Sequence, residues 1–310
     1  MVAPFGEEPA RIVRSRDGTP IAVFAGGTGH AGPILLVHGT ASDHRTWRVV
    51  APLFAAERAV FAMDRRGRGA SGDSPGYAPG RELDDLVATA EALGPVVVVG
   101  HSLGGRLAIA ASARTSAIRA VVAYESAPLA DSRPREPDAE RGPETQPGPE
   151  TQPGLGTRPG PGSQQRGDTD RLLAELRDDL ARGDLDALLA RFMTRAVGMP
   201  ADDLAAFRAN PIWADRAATG ATIVRELDAA THDPAIGVDA LALTRTPVLQ
   251  LVGGASPARF LNGALALDRR LAEGRLALID GARHAAHHSH PAAFVAAVRE
   301  FTDALPSVHA

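Results

Sequence analysis

Four consecutive valines, Val96–Val99, run straight into Gly100-His101-Ser102-Leu103-Gly104, and this stretch constrains the chain more than any other. An unbroken β-branched run fits a strand buried on both faces, as in a parallel sheet. Leu107, Ile109 and Ala110 to Ala113 then read as a helix. Between the two, G-x-S-x-G predicts a sharp strand-to-helix turn, a nucleophile elbow, with the Ser102 Oγ standing clear at the top of a sheet. The flanking glycines let strand and helix approach closely. The plainer alternative is a Gly-rich turn holding an inert serine, and the strand and helix on either side favour the elbow.

The remaining chain supplies a sheet around that strand. Arg11 to Val23 alternates about Asp17-Gly18, which predicts an antiparallel hairpin. Gly26 to Gly29 reads as a loop; no helix follows it, so it is not a phosphate-binding motif. Pro33–Val37, Val60–Met63, Ile118–Tyr124, Pro247–Val252 and Arg275–Ile279 read as further strands. Helical spacing appears at Trp47, Val50, Leu53 and Phe54, over Glu82–Leu93 and Phe260–Leu271, and at Phe294, Val298 and Phe301. Such alternation predicts an α/β fold, a mostly parallel central sheet flanked by helices.

Two segments depart from this rhythm. In 130–167 the hexapeptide Gly142–Pro147 repeats at once as Gly148–Pro153, and almost nothing apolar is present. Such a stretch buries too little surface to offset the entropy of ordering it, so it reads as a disordered insertion. From 168 to 245 the signal is helical. Leu185, Leu188, Leu189, Phe192 and Met193 share one face, and Asp168 and Asp184 are candidate N-caps. The expectation is a helical cap inserted between two parts of the sheet domain, 1–129 and 246–310.

Composition removes several function classes. There is no Cys, which excludes disulfides, thiolate zinc sites and a Cys nucleophile. Every basic residue apart from histidine is Arg, which excludes a catalytic Lys or Schiff base. A net charge of −4 gives no reason to expect nucleic acid or an anionic membrane, and the basic run Arg65–Arg68 is short. The N-terminal region, with Glu7, Glu8, Arg11 and Arg14, does not fit a signal peptide, and no 18-residue apolar run is present. A soluble, cytoplasmic protein acting on a small molecule is the expectation, with no nucleic-acid or membrane partner.

Five markers in order then carry a family resemblance: Leu36–Thr40, Asp64–Ser71, Gly100–Gly104, Gly253-Gly254 after a strand, and Gly281-x-x-His284 with Pro291 and Phe294. Outside 130–167 the chain resembles an α/β-hydrolase. The resemblance implies a cofactor-free serine hydrolase acting on an ester, lactone or thioester of a small to medium apolar compound. It leaves open C–C bond hydrolysis by the same residues and a non-catalytic binder on the same fold. An Asp at position 102 would point to dehalogenase or epoxide-hydrolase branches; Ser points to acyl transfer.

Within that frame Ser102 is the nucleophile candidate and His284 its base. The backbone N–H groups of Leu103 and Thr40 would form an oxyanion hole. His38 would brace its loop, and Asp64 to Ser71 would be a structural turn. His284, His287, His288 and His290 could suggest a metal, but Gly281 and Pro291 bracket them and no Cys or paired carboxylate joins them, so none is expected. His101, Phe192, Met193, Phe207 and Trp213 are candidates for the pocket wall. The acid is where the chain departs from its relatives. Most carry Asp three residues after the glycine that ends the strand at 247–252, and here that position is Ser256. Glu125, at the end of the strand following the nucleophile strand, is the first candidate to replace it, and Asp280 the second.

Overall fold

The computed structural model describes residues 5–126 and 161–306, so the duplicated Gly142–Pro153 segment lies outside the described residues. The chain runs β1 (Arg11–Arg14), β2 (Pro20–Val37), α1 (Ala51–Ala55), β3 (Arg58–Met63), α2 (Pro79–Leu93), β4 (Val96–His101), α3 (Leu103–Ser112) and β5 (Ile118–Tyr124). Six helices follow: α4 (Pro161–Ala181), α5 (Leu185–Arg191), α6 (Ala201–Arg208), α7 (Ile212–Ala217), α8 (Gly220–His232) and α9 (Val238–Leu241). The sheet then resumes with β6 (Val248–Gly253), α10 (Ala258–Asp268), β7 (Gly274–Ile279), α11 (Ala286–Ser289) and α12 (Pro291–Asp303).

The four valines show why the sheet sits between two helical layers. Successive side chains of a strand point to opposite faces. Val97 and Val99 join Phe54, Phe294 and Val298 on one side, while Val96 and Val98 join Leu83, Leu86 and Leu107 on the other. Each buried valine contributes about 1.5–3 kcal/mol of hydrophobic stabilisation. The strands lie in the order β1-β2-β4-β5-β6-β7, with β3 on β2. β1 is antiparallel to β2, and β4 to β7 are parallel to their neighbours.

β2 differs from the expectation of a strand, a glycine loop and a second strand. It is continuous and flanks β3 on both sides. Val23 pairs with Met63 and Phe24 with Ala62, an antiparallel sense, whereas Ile34 pairs with Val60 and Val37 with Met63, a parallel one. The sheet therefore has eight strand positions built from seven strands. Where β2 passes the start of β3, Cβ atoms at Gly27 and Gly29 would collide with the backbone of Ala55, Glu57 and Arg58. The glycines are there because two backbones cross, a signal that in one dimension looks like a loop.

The helical insertion has its own core of Leu172, Leu176, Leu188, Leu189, Phe192, Met193, Trp213 and Ile223. Asp184 caps α5, its side chain accepting from the Ala187 N–H at 3.0 Å. Asp168 does not cap a helix. α4 begins at Pro161, inside the stretch expected to be disordered, and Asp168 lies within it. Proline suits a first helical position because no N–H is needed there. The polar residues after it carry no apolar period that would reveal the helix. No helix among the described residues is long and apolar enough to cross a membrane.

The loop after β2 and the Arg-rich turn brace each other. His38 donates from Nδ1 to Gly39 O (2.8 Å) and accepts the Arg65 N–H on Nε2 (3.0 Å). Asp64 accepts the N–H groups of His44 (2.8 Å) and Ala70 (2.9 Å). Arg65 grips Glu82 through two bonds of 2.7 and 2.5 Å, and Arg66 grips Asp85 through two of 2.7 and 2.6 Å. Arg65 and Arg68 both pair with Glu226 on α8. Arg65, Arg66 and Arg68 are at most 2% exposed, so the basic run is an internal scaffold.

Two outcomes follow. Gly29→Ala forces a Cβ into the Glu57 carbonyl, and chemical denaturation should show a loss of about 2–4 kcal/mol. Burial lowers the pKa of His38 to about 3, and holds His101 and His287 well below the usual range. In the unfolded chain these groups bind protons near pH 6.5, so acid favours unfolding from there downward. Stability should fall between pH 6.5 and 5. His38→Asn should make that slope shallower by about 1 kcal/mol per pH unit, read from urea midpoints across the window.

Candidate active site

Strand register delivers the candidate residues to one place. His101 pairs with Tyr124, so Ser102 and Glu125, each the next residue, leave neighbouring strands at the same height. Tyr124 also pairs with Leu251, which puts the end of β6 just beyond Glu125. The turn at Ser102 is as sharp as the motif predicts, with φ 51° and ψ −124°. Cβ atoms at Gly100, Gly104 and Gly105 would strike, respectively, the Gly105 backbone, the Val37 and His38 carbonyls, and the Ser126 side chain. Only three described non-glycine residues have positive φ: Ala41, Ser102 and Glu125. They follow the C-terminal ends of β2, β4 and β5, which is where backbone strain accompanies function.

Glu125 is 3% exposed, and its two carboxylate oxygens are divided between two donors. Oε2 lies 2.6 Å from His284 Nδ1, and Oε1 accepts the Gly253 N–H at 2.9 Å. The Nδ1 contact leaves Nε2 of His284 as the ring nitrogen able to take up a proton. The loop carrying His284 is clamped from below. His101 donates from Nε2 to the His284 carbonyl (2.8 Å), and the Tyr124 hydroxyl donates to the Arg283 carbonyl. Phe260 packs on the His284 ring, centroids 4.9 Å apart. Asp280 is exposed and makes no contact with His284 among the described residues.

Ser102, Leu103, Thr40, Glu125 and His284 line one cavity of about 520 Å³. Neither the Thr40 nor the Leu103 N–H donates to another described residue. Leu103 opens α3, where backbone donors have no partner within the helix. Leu172, Phe192 and Leu227 bring apolar surface from the cap, and Phe260 from α10.

Of the residues expected in the pocket wall, Phe192 lies there. Met193, Phe207 and Trp213 do not. Met193 and Trp213 are buried in the cap interior, where Trp213 Nε1 donates to Asp186 (2.7 Å) and Phe207 meets the indole edge-on. Apolar periodicity marks a buried helix face without saying whether it covers a ligand or another helix. His101 sits beneath the cavity, between Tyr124 and the rings of His284 and His287. His287 and His288 are turned toward Thr46. Sequence reasoning missed three cavity arginines, Arg106, Arg195 and Arg259. Arg106 carried a signal, a single charge within the otherwise apolar helix α3; the other two carried none.

The Alpha/beta hydrolase family matches residues 34–298. N-formylmaleamate deformylase of Pseudomonas putida is 39% identical over 93 residues, which is 29% of this chain and 34% of that protein, so the match spans about a third of the relative's length. An alpha/beta hydrolase from Sphaerobacter thermophilus is 29% identical, with TM-score 0.72 over 94% of this chain and 99% of that one. The enol-lactonase of Burkholderia xenovorans shares the fold, with TM-score 0.64 at 17% identity over 94% and 100% of the two chains. The sheet order, the strained serine and these matches establish that the chain belongs to the alpha/beta hydrolase family.

Proposed function

We propose that this hydrolase cleaves an ester, lactone or thioester bond through an acyl-enzyme on Ser102. The carrying observation is that the Glu125–His284 hydrogen bond of 2.6 Å borders the same cavity as the strained Ser102. Ser102 Oγ attacks the carbonyl carbon while His284 Nε2 takes its proton. The tetrahedral oxyanion is received by the N–H groups of Leu103 and Thr40, donors fixed before the charge develops. Collapse breaks the bond to the leaving oxygen or sulfur, which receives the proton from His284. Water then repeats the sequence on the acyl-enzyme and frees the acid. Glu125 holds the Nδ1–H tautomer and stabilises the imidazolium. A cavity of about 520 Å³, with apolar surface from Leu172, Phe192, Leu227 and Phe260, suits a small to medium compound.

A fluorophosphonate probe should add once, on Ser102, located by peptide mapping; an adduct elsewhere, or none on folded protein, refutes the assignment. Glu125→Gln should lower kcat roughly 10³- to 10⁴-fold with little change in KM, by analogy with loss of the acid in other triads. Asp280→Asn should stay within about threefold, since surface substitutions seldom matter. Full activity in Glu125→Gln would remove it from the mechanism.

A further inference from the structure

The cavity wall carries charge that acyl transfer does not use. Three carboxylates line it, and each is committed. Glu125 is bound to His284 and the Gly253 N–H, Glu226 to Arg65 and Arg68, and Asp168 faces Arg171 at 3.6 Å. The lining arginines are less evenly matched. Arg195 is paired with Glu175. Arg106, one turn after Ser102, is buried and donates to the Ser126 and Ala230 carbonyls, at 3.2 and 2.7 Å. Arg259 forms no ion pair with a described residue; its Nη2 donates to Ala196 O at 2.9 Å, and its Cζ lies 5.1 Å from the Phe260 ring centroid.

Arg259 is placed to read the far end of a substrate. Its neighbour Phe260 touches the His284 ring, so the guanidinium sits a short acyl chain away from the reacting atoms. The bond to Ala196 ties it to the cap and fixes its place. One bond to a carbonyl uses one of five guanidinium N–H donors, and a neutral amide could supply it. A half-buried cation without a direct ion pair is costly, and burial pulls the Arg259 pKa down, the Glu125 charge countering it only in part. What Arg259 lacks among the described residues is a carboxylate in direct ion-pair contact.

We infer that the substrate is an ester, lactone or thioester whose acyl part ends in a carboxylate, received by Arg259. The inference rests on Ser102 acyl transfer for its orientation, with the scissile carbonyl at Ser102 and the carboxylate toward α10. Carboxylate and guanidinium meet as a charge-assisted, bidentate pair.

The test compares mono-4-nitrophenyl succinate, glutarate and adipate with their neutral methyl esters. At least one half-ester should exceed its methyl ester in kcat/KM by about tenfold or more, the range of one charge-assisted bond. Arg259→Gln keeps an amide donor for Ala196 and removes the charge. It should lower that ratio at least tenfold, through KM of the anionic ester, and Arg259→Lys should restore part of it. Sodium chloride should erode the preference. Neutral esters favoured at all three lengths, or a ratio unmoved by Arg259→Gln, would overturn the inference. A second arm is independent of turnover: calorimetry of free glutarate with Ser102→Ala, where Arg259→Gln should weaken binding at least tenfold. If neither ester type is hydrolysed and Ser102 takes no probe, the acyl-transfer reading has failed, and glutarate binding alone then decides the anion site. Binding lost in Arg259→Gln sustains it, and no binding refutes it.

Discussion

The close approach of three backbones at the end of β4 is the constraint on which this molecule depends. The chain turns at Ser102 from strand to helix while the loop after β2 passes beside it. Gly100 and Gly104 mark the backbone contacts, Gly105 faces the Ser126 side chain, and none has room for a methyl group. Interiors this tightly packed transmit displacements instead of absorbing them. The same crowding that bends the elbow therefore sets the distance between the Leu103 and Thr40 amides. A looser elbow would shift Ser102 and these two amides relative to each other, and the strain at φ 51° persists because the surrounding packing holds it.

A second constraint ties the cap to the sheet through charge. Arg65 and Arg68 leave the turn after β3 and reach Glu226 on α8, while Arg65 also holds Glu82 on α2. Removing one partner from such a buried network strands a charge and costs several kcal/mol. The network is therefore better regarded as a register pin than as net stabilisation. It holds α8 at a set height above the turn, and Glu226, Leu227, Ala230 and Thr231 of that helix line the cavity. Cavity shape thus depends on a network buried beside it.

Features with a local cause were legible in the sequence. The valine strand and the sharp turn at Ser102 each follow from a few adjacent residues, and both emerged as read. Glu125 was singled out by the family resemblance, in which Ser256 stands where relatives carry an acid, and the structure sets it beside His284. Features caused by distant segments were not legible. Gly26 to Gly29 looked like a loop because the crossing backbone of β3 lies some 30 residues away in the chain. Met193 and Trp213 looked like pocket wall because periodicity does not name the partner of a buried face. Arg195 and Arg259 come to one cavity from different elements, and no spacing links them.

The position of Glu125 shows how a carboxylate on β5 reaches His284. A buried carboxylate needs donors for both oxygens, or its desolvation outweighs its attraction to histidine. At the end of β5 the Gly253 N–H of β6 supplies one donor and His284 the other. Adjacent strands lie about 4.8 Å apart, so a side chain starting on β5 must reach across that gap to serve both. Glu spans it with one more methylene than Asp, from a backbone held at a positive φ of 48°. Across the gap, the Ser256 Oγ is buried without a hydrogen-bond partner among the described residues. The hydroxyl does no visible work at that position, because the donor at Gly253 and the ring of His284 are already engaged from the other side.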